Sequence, residues 1–148
     1  MKNRFLLPQI LLTISAFEFF GPAIRDSGTS HLLNAEWVGH ARVHLVWALG
    51  FMVTSGLVNL YLIWRRHENK LRDLYLSCVW QGCNIIGFWI SVLFVDHYHG
   101  AIIDPKQHML ILGIDENIVA FAFLTVVLVS ALLVLKFRVE TEIGKTGI

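Results

Sequence analysis

The sequence predicts an all-α integral membrane protein, a four-helix bundle forming a single domain over residues 1–148. Three observations carry this. Hydrophobic residues make up 55% of the 148 residues, more than a soluble domain carries. They gather into four continuous runs of the length a helix needs to cross hydrocarbon, roughly 20 residues. Lysine and arginine fall between and beyond those runs, concentrated at alternate ends. Continuity excludes a membrane β-barrel, whose strands would read as alternating segments of about ten residues.

The first run covers residues 5–23 and is interrupted by Pro8, Gln9 and Glu18. Its basic start, Lys2 and Arg4, resembles that of a signal peptide, but Gly21-Pro22-Ala23 is a poor cleavage site, so the run is read as a retained span. A polar loop, Arg25 to Ser30, follows. Asn34 is the expected N-cap of a helix that continues through the second span, 37–64. Reaching Arg66, that helix would be about 32 residues and ~48 Å long, and its first turns would project above the lipid. The third span is 74–95. The fourth, 116–135, is the most uniformly apolar. Ahead of it, Asp104-Pro105-Lys106-Gln107 has the form of a helix start, whereas Gly113 and Asp115-Glu116-Asn117 offer a break. Residues 101–114 therefore read either as an extension of the fourth helix or as a re-entrant or interfacial segment.

Lys2, Arg4, Arg65, Arg66, Lys70, Arg72, Lys136, Arg138 and Lys145 lie at one set of helix ends, against Arg25, Arg42 and Lys106 at the other. By the positive-inside rule both termini face the cytoplasm. The net charge of +1 and the lack of a basic stripe beyond this bias argue against nucleic acid as a partner. Cys78 and Cys83 are five residues apart on one helix and point to different faces, so they are read as packing thiols, not a disulfide.

The non-cytoplasmic ends hold six of the seven histidines: His31, His40, His44, His97, His99 and His108. Ionisable groups at a bilayer edge are costly and mark functional sites by default. His40 and His44, at i and i+4, share a helix face and have the spacing of a metal-ligand pair. Trp47 and Phe51 continue that face inward. Asp96-His97-Tyr98-His99 leaves the third helix, and Asp104-x3-His108 follows. The metal ligands expected are His40, His44, Asp96, His97, His99 and His108. A His/carboxylate set without thiolates suits Fe, Zn, Mn or Cu(II).

Counting along each helix brings Glu18, His44, Asp96 with His97, and Glu116 to a similar depth. Glu18 and Glu116 are the catalytic candidates. Glu18, about a turn inside the apolar zone, reads as a metal ligand, a general acid or base, or an ion-pair partner of Arg25 or Arg42. Deeper still, Gln9, Asn59, Gln81 and Asn84 must face the bundle interior, bonding helices together or lining a cavity walled by Trp80, Phe88 and Trp89. Gly82 and Gly87 read as points of close helix approach.

The string Asn34-x2-Trp37-x2-His40-Ala41-Arg42-x-His44 resembles a motif of small, uncharacterised four-helix integral membrane proteins. It covers about a dozen residues, and the resemblance implies no activity and no functional residue. The wider plan is similar to compact four-helix membrane enzymes and sterol-binding bundles, an analogy of architecture alone.

The function these residues point to is a membrane enzyme acting on a lipophilic small molecule at a His/carboxylate, metal-holding site near the non-cytoplasmic face. It would be either a metal-dependent oxidoreductase or an acid/base isomerase. Two alternatives stand beside it: a haem protein ligated by residues such as His44 and His108, and a non-catalytic subunit with a membrane-protein partner or a homo-oligomer. Membrane lipid is a contact in every case.

Overall fold

The computed structural model describes residues 4–103 and 109–146. Its architecture is helical, and four helices are long and apolar enough to cross a membrane: Leu6–Arg25, Gly39–Trp64, Lys70–Leu93 and Glu116–Gly144, of 20, 26, 24 and 29 residues. Each falls on an expected run.

The first span is two helices, α1 (Leu6–Ser15) and α2 (Phe17–Arg25), broken at Ala16. Pro22 lies inside α2 and has no N–H to offer the carbonyl of Glu18 one turn back. At the break the ladder tightens, with Phe19 N–H bonded to the Ala16 carbonyl at 3.1 Å. The two halves then take different neighbours. α1 packs mainly along α5 (Glu116–Val134), whereas α2 leans on α3 (Gly39–Trp64) and barely touches α4 (Lys70–Leu93) or α5. Gly56 permits the α2–α3 approach, since a Cβ there would lie 2.5 Å from the Phe20 ring and 3.1 Å from Phe19 Cβ. Gly82 and Gly87, the expected contact glycines, have open space where a Cβ would be.

α3 starts at Gly39 and not at Asn34. Val38 is extended, and Asn34 closes a turn of its own, its Oδ1 accepting from Glu36 N–H at 3.0 Å. The helix is therefore shorter than the expected projecting rod. At the other end of α4 the chain makes one short 3₁₀ turn, Val95–Tyr98. Ahead of α5 lies a two-stranded antiparallel hairpin, β1 (Leu110–Ile111) and β2 (Ile114–Asp115). Its turn residues Leu112 and Gly113 both have positive φ, 54° and 83°, the geometry of a tight hairpin turn. Of the two readings of 101–114, the described residues 109–114 thus follow the non-helical one. Asp115 caps α5, its side chain accepting from Asn117 N–H at 2.9 Å. α5 continues through a wider π-type turn, Leu135–Val139, into α6 (Glu140–Thr146).

The apolar core is Leu12, Ile63, Leu74, Cys78, Ile85, Phe121, Leu124, Leu128, Ala131, Leu135 and Val139. Large apolar side chains such as Trp47, Val79, Phe123 and Val126 are exposed all around it, as expected of a surface solvated by lipid. A fastened polar cluster sits where α3 turns into α4. Buried Asp73 takes two bonds from Arg65, at 2.8 and 2.6 Å, and lies 3.3 Å from His67 Nδ1. The Lys70 ammonium donates to the carbonyls of Leu62, Ile63 and Arg65 that end α3.

Candidate functional site

The split allegiance of α1 and α2 opens the bundle. Between α2, the loop after it, α3, α4 and the start of α5 lies a cavity of about 1230 Å³, above the usual ligand-pocket range of roughly 300–1,000 Å³. Phe19, Met52, Trp80, Phe88, Phe121 and Leu124 give it apolar walls. Phe88 and Phe121 stack at 3.8 Å between centroids and 10° between planes. Trp89, expected in this wall, instead faces α5 and donates to Thr125 Oγ1 at 3.0 Å.

Glu18 is on the cavity wall and is 0% exposed. Neither carboxylate oxygen has a hydrogen-bond partner among the described residues. The side chain of Asn84 interacts with it, and Asn84 Nδ2 is also without a hydrogen-bond partner among the described residues. The expected arginine partners are engaged elsewhere. Arg25 donates to Glu116 Oε1 at 2.7 Å, and Arg42 donates to the Asn34 carbonyl at 2.7 Å. An unpaired buried carboxylate costs several kcal/mol in a packed interior, so this one marks a place where the fold is incomplete without something else.

Glu116 is also on the cavity, at its mouth, joined to Arg25. Glu18 lies seven residues earlier than Arg25, about 10 Å deeper along the helix. Asp115, 6% exposed, lines the cavity too, and its Oδ2 has no partner. Asp26, Ser30, His31, Asn34, Glu36 and Trp37 complete the mouth. Burial pushes the Asp26 carboxyl above the ordinary range, against the pull of His31 and Arg25. The loop holding these groups is fastened to α3 through the Arg42–Asn34 bond, and His31 meets Trp37 edge-on at 5.6 Å. Five positions of the N-x2-W-x2-HAR-x-H motif thus have places: Asn34 and Arg42 hold the loop, Trp37 lines the mouth, and His40 pairs with His44.

That histidine pair stands outside the cavity. The Nε2 atoms of His40 and His44 are 3.0 Å apart, and both rings are exposed. At 100° per residue His40 and His44 each lie within about 20° of Phe51, which lines the cavity, but they precede Leu49, the first buried residue of α3, and so stay exposed. Asp96, His97 and His99 are likewise exposed, on the 3₁₀ turn and its left-handed cap, with His97 edge-on to Phe94 at 5.4 Å. Among the described residues no three of His, Cys, Asp and Glu form a group that could hold a metal ion. His108 lies outside the described residues. The expected layer therefore divides: Glu18 and Glu116 meet on the cavity, while His40, His44, Asp96, His97 and His99 do not join them.

Sequence reasoning placed Asp26 and Asp115 at these helix ends but assigned them no part in the site, and it missed Ser15. Ser15 is fully buried, and its hydroxyl has no partner. Comparison of the chain with protein-family models, with curated proteins and with solved structures gave no match.

Proposed function

We propose that the protein is an integral membrane enzyme that takes a lipophilic molecule into this cavity and performs proton transfer on it through Glu18. The observation that carries this reading is the Glu18 carboxylate, wholly buried on the wall of a large aromatic cavity and unpartnered by the chain. Such a group is stabilised only by what enters the cavity, which is how a general acid or base is poised. The reaction class that needs nothing further is isomerisation: the Glu18 carboxylate removes a proton from one ligand atom and returns it to another. Asn84 would orient the carboxyl, and Glu116 with Arg25 would form the polar rim. The lysine and arginine bias supports a mouth on the non-cytoplasmic side.

The test is identification of lipophilic molecules retained by the detergent-purified protein, by solvent extraction and mass spectrometry, in wild type and Glu18→Gln. A retained compound that wild type alone converts to an isomer supports the reading. Conversion by folded Glu18→Gln at the wild-type rate overturns it.

A second reading rests on the His40–His44 pair. Its 3.0 Å Nε2 separation is close to the ~3.3 Å spanned by two nitrogens on one tetrahedral Zn²⁺ at 2.0–2.1 Å. Fe, Mn or Cu(II) would suit the same imidazoles. A metal there would sit on the exposed face of α3 and would act apart from Glu18.

A further inference from the structure

The charge of the cavity identifies the chemical class of its ligand. The described lining residues include five carboxylates, Glu18, Asp26, Glu36, Asp115 and Glu116; Arg25 is paired with Glu116, and His31 lies 3.7 Å from Asp26. Two of the five are more than nine-tenths buried and hold oxygens with no partner: both of Glu18 and Oδ2 of Asp115. They come from different elements, α2 and the end of β2, and line one space. The remaining walls are aromatic faces, Trp80, Phe88 and Phe121 among them. Low-dielectric walls lined by one sign of charge concentrate the opposite sign, and aromatic faces attract cations and repel anions.

We infer that the ligand is an amphiphilic cation, an apolar body bearing an ammonium group, with the ammonium seated against Glu18 on the cavity wall and the acidic mouth drawing it in. This rests on the reading of the cavity as the binding site and adds the sign of the ligand's charge. A neutral alcohol could accept or donate one hydrogen bond at Glu18 but would leave the charge of Glu18 and of Asp115 Oδ2 uncompensated. A carboxylic acid would add to it. Only a cation supplies the counter-charge that a buried carboxylate requires.

Three probes of one shape separate these cases: dimethyl(4-phenylbutyl)amine, 4-phenylbutan-1-ol and 5-phenylpentanoate. Binding is measured by calorimetry on the full chain in phosphatidylcholine nanodiscs, which carry no net charge to attract the amine. The amine is expected to bind about tenfold or more tighter than the alcohol, and the carboxylate not at all, since a close charge pair away from bulk water is worth at least that factor. In Glu18→Gln the preference for amine over alcohol should collapse to about threefold or less. Asp115→Asn, which keeps the cap on α5, should reduce it by a smaller factor and gives a second test if Glu18→Gln fails to fold. Equal binding of amine and alcohol would overturn the cation inference while leaving the cavity as a lipophilic site. An amine preference that survives both substitutions would also overturn it. Failure of all three probes to bind would overturn the cavity reading itself.

Discussion

The two halves of this bundle contain the same kinds of buried polar residue and treat them in opposite ways. In the half holding the α3–α4 turn, Asp73 is 1% exposed and takes two bonds from Arg65, with His67 beside it. Gln9 donates to the Ile63 carbonyl at 2.7 Å, and Ser77 to Asn59 Oδ1 at 2.7 Å. Beyond Ala16 the pattern changes. Glu18 is as deeply buried as Asp73 and has no partner, and Asn84 Nδ2 and Asp115 Oδ2 are without partners too. Gln81 marks the boundary: its Nε2 donates to the Leu12 carbonyl and to Ser77 Oγ, while its Oε1 is not bonded. One half uses buried polarity to hold helices together, and the other leaves it directed at an open space.

That contrast is broken most directly at Arg65. Its removal in Arg65→Ala leaves Asp73 buried beside His67 alone, and loss of one member of a buried pair costs roughly 3–5 kcal/mol. A value near the lower end is expected because the Arg65 side chain is 27% exposed. Thermal unfolding in detergent, followed by circular dichroism, reads it. An unchanged melting temperature would remove the idea that this half is fastened by its polar groups.

The opposite sign is expected at Glu18. Glu18→Met replaces an unpartnered carboxylate by an apolar side chain of similar length, so the ligand-free protein should gain about 1–2 kcal/mol. Ligand binding should be lost in the same variant, the exchange of stability for function seen when a strained site is filled. Destabilisation of the ligand-free protein by Glu18→Met would place Glu18 with Asp73 as a structural group and erase the difference between the halves.

How much of this was legible in the sequence follows from what hydropathy encodes. The four spans were readable because lipid demands about 20 apolar residues in a row, and their bounds moved by four residues or fewer except where the fourth runs on to Gly144. The depth of Glu18 was readable for the same reason, since a lone carboxylate in an apolar run has to be accounted for. The point at which α3 becomes packed was harder. His40 and His44 share the helix face of the cavity-lining Phe51 but precede Leu49, the first buried residue of α3, and so stay exposed. The break at Ala16 was foreshadowed only by Pro22, and it is the break that lets α1 and α2 choose different partners and so opens the cavity. The hairpin ahead of α5 was hidden because Leu112, a residue that seldom adopts positive φ, occupies its turn.

Asp26, at the mouth, offers a smaller effect with a defined sign. Burial raises its folded-state pKa above the ordinary 3.8, with His31 and Arg25 opposing. A carboxyl whose folded pKa is raised favours the protonated form in the fold. Its contribution to stability is therefore full below pH 3.8 and is lost as the pH rises through the folded value. Asp26→Asn removes that loss. Melting temperatures at pH 4 and pH 7 should differ less in the variant than in wild type, with the variant the more stable at pH 7. A wild type that gains more than Asp26→Asn between pH 4 and pH 7 would mean that the pairing with His31, at 3.7 Å, outweighs burial.

The smallest effect is expected at the histidine pair, and it tests whether the cavity or the exposed face of α3 holds the chemistry. His40 and His44 are exposed and bonded to each other, and exposed contacts one helical turn apart contribute only about 0.2–0.5 kcal/mol. Neither ring lines the cavity. The double variant His40→Ala/His44→Ala should therefore melt within about 2 °C of wild type and bind the amine probe with unchanged affinity. Titration with Zn²⁺ supplies the other half of the comparison. If wild type binds one equivalent and the double variant none, while cavity binding is the same in both, the pair is a metal site independent of Glu18. Loss of cavity binding in the double variant would instead mean that the histidine pair and the cavity act together, and the division between them would have to be abandoned.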